Sequence, residues 1–183
     1  DLRAHLQVEK WAKVSGEIDI TGDITRPLDK REIEREVKAM KGKVDAFVVS
    51  GYSSVRNPIH EREIKEIAQT YLDVPVICAH ELSGSLGFNE RTATAVLNAH
   101  LLPVVDDLLK KTRVTLSQKG IHAPITIMRG DGTMMSERQA AERPVEMVLS
   151  GPAASIVGGA ALTGIKDAFI IDLGGTTMDI ANL

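Results

Sequence analysis

The residues best equipped for chemistry lie together near the end of the sequence, in the stretch Ala168 to Asn182, AFIIDLGGTTMDIAN. An apolar run, Ala168 to Ile171, stops at a carboxylate, Asp172. Gly174 and Gly175 follow, then Thr176 and Thr177, and a second carboxylate, Asp179, stands before Ile180 and Ala181. Glycine has no Cβ, so main-chain N–H groups at a glycine turn can come close to an anion. Threonine hydroxyls add donors, and carboxylates suit a hydrated magnesium ion. In that reading Gly174, Gly175, Thr176 and Thr177 hold phosphoryl oxygens. Asp172 and Asp179 orient water on magnesium or act as a base toward the attacking group. The same residues also suit a plain hairpin closed by a Gly-Gly turn.

Other candidates are sparser. Ser150-Gly151-Pro152 reads as a helix start, which can present N–H groups and the positive end of the helix dipole to an anion, or can be an ordinary helix start. His80 and Glu81 follow a strand-like run, where active-site groups often collect, although solvent-exposed loop residues would look the same. Arg129-Gly130-Asp131 forms a turn in which Arg129 or Asp131 could face a cleft. His60, Glu61 and Glu63 fall in a first helical turn, where acidic residues suit the dipole. The five histidines have no ligand spacing, which gives no zinc site. No GxSxG elbow, Walker loop or GxGxxG is present.

These residues need elements to hold them. Asp1 to Lys13 places Leu2, Leu6 and Trp11 among charges, as a strand or short helix. EIDITGDI, Glu17 to Ile24, alternates around Thr21-Gly22-Asp23 like a hairpin. Pro27 and Asp29 open a helix over Lys30–Lys41, with Ile33, Val37 and Met40 on one face. VDAFVVS, Val44 to Ser50, and PVICA, Pro75 to Ala79, are buried strand candidates. Between them Asn57 caps a helix over Pro58–Tyr71. The strand–helix–strand order predicts an α/β layer with parallel pairing. A long helical pattern covers Asn89–Gln118, and Pro103 inside it should kink or split it near Leu102. PITIM, Pro124 to Met128, is a third strand, Arg129 to Thr133 a turn, and Ser136 to Arg143 a short helix stopped by Pro144. SGPAASIVGGAALTG, Ser150 to Gly164, is a helix of small residues able to pack closely. The chemical stretch then forms two short strands joined by a tight turn.

Composition narrows the function. The chain has 183 residues, enough for one large or two small cores, with 43% hydrophobic and 26% charged residues, as in ordinary globular proteins. A net charge of −3 and 3% aromatic residues argue against nucleic acid or an anionic membrane as partner. One cysteine, Cys78, cannot form an internal disulfide and sits in an apolar run, as a small core residue. A reducing, cytoplasmic setting fits, and no segment reads as a membrane span or signal peptide. Both ends look cut, as in part of a longer polypeptide.

Five segments in series carry a resemblance: FVVSGYSSVRNPIHE (Phe47–Glu61), NERTATAVLNAHLLPVV (Asn89–Val105), ITIMRGDGTMMS (Ile125–Ser136), RPVEMVLSGPAASIVGGA (Arg143–Ala160) and FIIDLGGTTMDIA (Phe169–Ala181). Together they resemble the ATP-using subunit of the hydantoinase/oxoprolinase family, over most of the chain from about Val14.

The resemblance implies an α/β fold of the acetate and sugar kinase, heat-shock chaperone and actin superfamily. Such proteins have ribonuclease-H-like domains, each a mixed sheet with flanking helices, and bind ATP between them. It implies ATP and Mg2+ as cofactors. The activity implied is phosphorylation of a carbonyl so that a small cyclic amide, of hydantoin or 5-oxoproline type, can be opened. A second hydrolase subunit or domain would be the partner. Relatives also serve in acetone- and acetophenone-type carboxylases, and a non-catalytic actin-like nucleotide module is the other alternative. Members begin with a first phosphate loop that is not found here before Asp172. Residues 1–145 would then be the C-terminal part of the first ribonuclease-H-like domain, and 146–183 the start of the second. The closing motif would be the second phosphate loop, with Thr177-Met178 where many relatives have Ser-Thr. An isolated segment of this kind is expected neither to bind ATP tightly nor to turn over.

Overall fold

The computed structural model describes residues 6 and 8–183. They form two compact α/β units, divided between His100 and Leu101. The strand or short helix expected over Asp1–Lys13 falls partly outside the described residues. From Val8 to Val14 the chain takes neither form.

In the first unit β1 (Glu17–Ile18) and β2 (Ile24–Arg26) pair antiparallel, as the alternation around Gly22 predicts. Asp19 Oδ1 organises the turn by accepting from the N–H groups of Thr21, Gly22 and Asp23, each at 2.9 Å. Gly22 has φ +103°, a conformation that favours glycine. Helix α1 (Lys30–Met40) starts at Asp29, whose Oδ1 accepts from Arg31 N at 2.9 Å, and buries Ile33, Val37 and Met40. Strand β3 (Phe47–Val49), helix α2 (Ile59–Tyr71) and β4 (Val76–Cys78) follow. The two strands pair parallel, Phe47 against Val76 and Val49 against Cys78, with α2 in the connection between them. Ile33, Val37, Ala68 and Leu72 form the core, packed by Phe47, Ile64, Ile67 and Val76. A one-turn helix, α3 (Ala79–Leu82), continues directly from β4.

Helix α4 (Phe88–Gln118) runs through Pro103 without a break, where a split was one of two expectations. Proline removes the bond to the carbonyl of Ala99. Pro103 and Val104 are exposed, so that carbonyl lies on the side where water can satisfy it.

In the second unit β5 (Thr126–Met128) pairs antiparallel with β6 (Met134–Ser136), Ile127 against Met135. The sequence pattern foresees β5 and the turn but not β6. Three residues between a turn and a helix cap are too short to show periodicity. Helix α5 (Glu137–Glu142) begins with a reciprocal capping box between Ser136 and Gln139. Val105, Leu109, Met135 and Ala140 form the core there. A 3₁₀ turn (Pro144–Met147) leads to α6 (Ser150–Thr163), ended by Gly164 at φ +68°. Strands β7 (Phe169–Leu173) and β8 (Met178–Asn182) close the chain as an antiparallel hairpin. The four strand pairs, one parallel and three antiparallel, are separate two-stranded sheets among the described residues and do not make one continuous mixed sheet. With most strands only two or three residues long, each has little edge to share with a third.

Candidate functional site

Alternation in β7 and β8 decides which groups meet. In an antiparallel ladder directly opposed residues share a face. Ile171 opposes Ile180 and Leu173 opposes Met178, which puts these four apolar side chains on one face, each more than half exposed. Ile170 opposes Ala181 and Asp172 opposes Asp179, which puts the two carboxylates together on the other. That second face packs on α6. A Cβ at Gly159 would come within 2.8 Å of Ile170 Cδ1, so the small-residue helix lets the strand lie close, as its composition implies. Asp172 is half-buried and Asp179 exposed.

The helix also contributes a side chain that the sequence reading passed over. Ser155 Oγ donates to Asp172 Oδ2 at 2.5 Å. The available signal was its position one helical turn after Pro152, on the face that carries the helix start. Pro152, Ser155, Ile156, Ile170, Asp172, Asp179, Ile180 and Ala181 line a cavity of about 110 Å³. One wall is thus the beginning of α6 and the other the carboxylate face of the hairpin.

The hairpin tip is built differently from the expectation for its glycines. Gly174 N donates to Thr177 O at 2.9 Å, which closes a turn around Gly175 and Thr176. The Gly174 N–H is therefore engaged within the turn. The N–H groups of Gly175 and Thr176 have no main-chain partner among the described residues. Neither Gly174 nor Gly175 takes a left-handed φ. A Cβ on Gly175 would meet nothing within 4 Å. Backbone geometry and neighbours therefore leave glycine at 175 unexplained, whereas close approach of a ligand would explain it.

Ser150 and Gly151 occupy the start of α6 but do not line the cavity. The cap residue, Leu149, makes no side-chain cap bond, has φ +62° and is 71% exposed. Leu149 is the one non-glycine residue with positive φ among those described, a conformation that costs a large side chain energy. Gly151 faces open space. The first N–H groups of this 14-residue helix are left without a capping side chain, the state in which a helix start accepts an anion.

The remaining sequence candidates are engaged elsewhere. Arg129 forms an ion pair with Glu146, and Asp131 Oδ1 accepts from Thr133 N at 2.9 Å. Glu81 pairs with Lys65 at 2.8 Å. Glu61, one of the first-turn acids, is buried, and its partner is His80.

Residues 91–183, half of the chain, match the family model described as hydantoinase/oxoprolinase, and residues 2–72 match that of the hydantoinase/oxoprolinase N-terminal region. The chain belongs to the hydantoinase/oxoprolinase family. Among curated members and relatives, it is 35% identical over 170 residues to an uncharacterized protein of Methanocaldococcus jannaschii, across 90% of this chain and 25% of that one. It is 30% identical over 175 residues to the acetophenone carboxylase gamma subunit of Aromatoleum aromaticum, across 90% of this chain and 24% of that one. The solved structure of the ATP-dependent caprolactamase of Pseudomonas jessenii superimposes with a TM-score of 0.81 at 29% identity, across 91% of this chain and 25% of that one. The chain spans about a quarter of the length of the hydantoinase/oxoprolinase relatives it matches. Both family models fall where the motifs had pointed, and the one over residues 91–183 includes the Asp172–Asp179 hairpin.

Proposed function

We propose that this chain is part of an ATP-dependent enzyme that activates a carbonyl compound by phosphorylating its oxygen. The leading substrate class is a small cyclic amide of hydantoin or 5-oxoproline type. The observation that carries this reading is the opposition of Asp172 and Asp179 on one face, beside the uncapped start of α6 and below a turn with unpartnered N–H groups. Two carboxylates and a set of main-chain donors are the complement of a magnesium–phosphate group.

The residues fit magnesium. Asp172 has one oxygen held by Ser155, which leaves its other oxygen for a water or the ion, and Asp179 is exposed opposite it. When bound, the ion would neutralise charge on the phosphates. Asp172 and Asp179 would orient its waters, Gly175 and Thr176 would donate N–H groups to phosphoryl oxygens, and the Thr176 and Thr177 hydroxyls would add donors. Gly174 contributes by closing the turn. Ser150 and Gly151 would donate to an anion at the helix start. The wider architecture in this reading is the actin-like one, with residues 1–145 in a first ribonuclease-H-like domain and 146–183 opening a second, in a cytoplasmic protein that works with a second subunit or domain.

A second reading is supported by the 30% identity to the acetophenone carboxylase subunit: ATP would activate a ketone for carboxylation. Both readings share the phosphorylation step. The test measures ADP release by the full-length protein with its partner subunit, in ATP and Mg2+, with hydantoin, 5-oxoproline or caprolactam, and with acetone or acetophenone with and without bicarbonate. Stimulation by a cyclic amide supports the first reading, and bicarbonate-dependent stimulation by a ketone supports the second. ATP hydrolysis that no carbonyl compound changes would leave a nucleotide-binding module without this chemistry.

A further inference from the structure

Three side chains of different ligand chemistry converge inside the first unit. Glu61 comes from the first turn of α2, Cys78 is the last residue of β4, and His80 belongs to α3. Each offers one ligand atom, and these atoms lie within 4.8 Å of one another. Bonds of about 2.0–2.3 Å to a tetrahedral zinc ion separate its ligand atoms by roughly 3.3–3.8 Å, so shifts of about 1 Å bring this set to a common centre. No ligand spacing marks these residues in the sequence, where Glu61 and Cys78 stand 17 residues apart. The parallel pairing of β3 and β4, with α2 in the connection, brings the start of α2 beside the end of β4.

The cluster is buried, and its carboxylate has no fixed cation. The Glu61 side chain is 1% exposed and that of His80 11%, and Cys78 is fully buried. Glu61 Oε1 accepts from Gly51 N at 2.7 Å, and Oε2 accepts from His80 N at 3.1 Å and lies 2.6 Å from His80 Nδ1. Cys78 Sγ donates to the main-chain carbonyl of Glu61 at 3.5 Å. Among the described residues the one ion-pair partner of Glu61 is His80, which is charged only when protonated. Cations nearby are committed elsewhere. Lys65 pairs with Glu81 at 2.8 Å, and the Arg91 guanidinium donates to the carbonyls of Gly51, Tyr52 and Ser85. Main-chain dipoles hold the buried charge, but a cation at this place would stabilise it further.

We propose that Glu61, Cys78 and His80 bind a zinc ion through a carboxylate oxygen, the thiolate sulfur and an imidazole nitrogen, with water in the fourth position. Zinc takes the place of the thiol proton, which leaves to solvent. The imidazole binds neutral, with its one proton on the nitrogen turned away from the ion. The two anionic ligands cancel the double charge of zinc, so the closed cluster is neutral where burial makes net charge costly. This ligand set also selects the metal. Thiolate and imidazole suit zinc, whereas magnesium takes hard oxygen ligands, so this ion differs from the one proposed at Asp172 and Asp179. The outer contacts suit a metal centre: Gly51 N orients the carboxylate, and Arg91 holds the Gly51 carbonyl and with it that loop. His80, the most exposed of the three, provides the entry side. Bound zinc would tie α2, β4 and α3 together at the C-terminal end of the parallel pair.

Zinc itself is the probe. The full-length protein with its partner subunit is equilibrated with zinc in excess Mg2+, passed through gel filtration and analysed for metal. The wild type should retain one more equivalent of zinc than Cys78→Ser, which keeps the size of the side chain but offers no thiolate. Cobalt(II) in place of zinc should give a thiolate-to-cobalt charge-transfer band in the wild type that Cys78→Ser reduces. Equal zinc in the wild type and a folded Cys78→Ser overturns the proposal and leaves Glu61 and His80 as a hydrogen-bonded pair only. Should Cys78→Ser fail to fold, the wild type answers by local hydrogen exchange. Zinc should slow amide exchange in residues 58–64 and 76–83 by about tenfold or more, and a chelator should reverse this. Exchange in both segments that zinc leaves unchanged overturns the proposal. These readouts count metal and local stability, so they decide the matter whether or not a carbonyl compound stimulates ATP turnover.

Discussion

Asp172 and Asp179 stand directly opposite each other across the β7–β8 ladder, on the face that packs against α6. Two carboxylates in this relationship repel each other unless something positive or hydrogen-bonding stands between or beside them. Ser155 supplies one such contact, to Asp172. In the proposed function a magnesium ion with its waters would supply the rest.

Replacing either carboxylate with its amide should test this. Asp172→Asn and Asp179→Asn should each lower carbonyl-stimulated ATP turnover by about a hundredfold or more. Removing the repulsion should leave the melting temperature unchanged or slightly raised. Steady-state ADP release and a thermal melt, with and without Mg2+, check both halves. Full turnover in Asp172→Asn would remove that residue from the site.

Gly130 and Gly175 should respond oppositely to alanine. A Cβ on Gly130 would fall 2.1 Å from the Val148 carbonyl oxygen, a main-chain atom that cannot rotate away. It would also disturb the bond from Gly130 N to Glu146 O at 2.8 Å. Gly130→Ala should cost about 1–3 kcal/mol or more. Gly175→Ala meets open space and an ordinary φ, so it should be neutral or stabilise by about 0.4–1 kcal/mol. Its effect should appear as weaker ATP binding. Chemical denaturation and nucleotide titration of the two variants distinguish them.

The Cys78 thiol should be inert while the protein is folded. It is fully buried, and burial pushes it up to about 12, with Glu81 and Glu61 adding to the shift. Only the thiolate reacts readily. Iodoacetamide at pH 8 should therefore label native protein far more slowly than denatured protein, as followed by intact-mass spectrometry. Rapid native labelling would contradict the packing around β4.

Acid should weaken the contact between Ser15 and Glu32. Both the main-chain N–H and the hydroxyl of Ser15 donate to Glu32 Oε2, and these bonds hold its carboxyl below the usual 4.5. A carboxyl depressed in the folded state contributes stability that is present above its unfolded value and lost as pH falls through the folded one. The stability difference between the wild type and Ser15→Ala should thus be constant above pH 4.5 and shrink below it. Urea midpoints measured across this range check the sign.

Much of the first unit was legible because its signals are local. Asp29 caps α1, Gly22 turns the first hairpin, and the apolar runs around Val48 and Ile77 are long enough to mark buried strands. The hairpin at Asp172–Asp179 was legible for the same reason, since apolar runs on either side of the Gly-Gly pair mark two strands and a turn. A single residue in a long pattern left two outcomes open: Pro103 pointed to a kink or a split, and exposure on one side allowed α4 to continue without the split.

The sequence by itself determined most of the helices, the closing hairpin and the family, because hydrophobic period and turn residues are properties of neighbours along the chain; that Asp172 stands opposite Asp179 came from the ladder register. Only the tertiary structure decided that Ser155 binds Asp172, that Glu61 is a buried partner of His80, and that Gly174 spends its N–H within the turn. Each of these is set by which groups packing brings to hydrogen-bond distance. Burial then makes the choice binding, because a polar group removed from water must find a partner wherever the fold puts one.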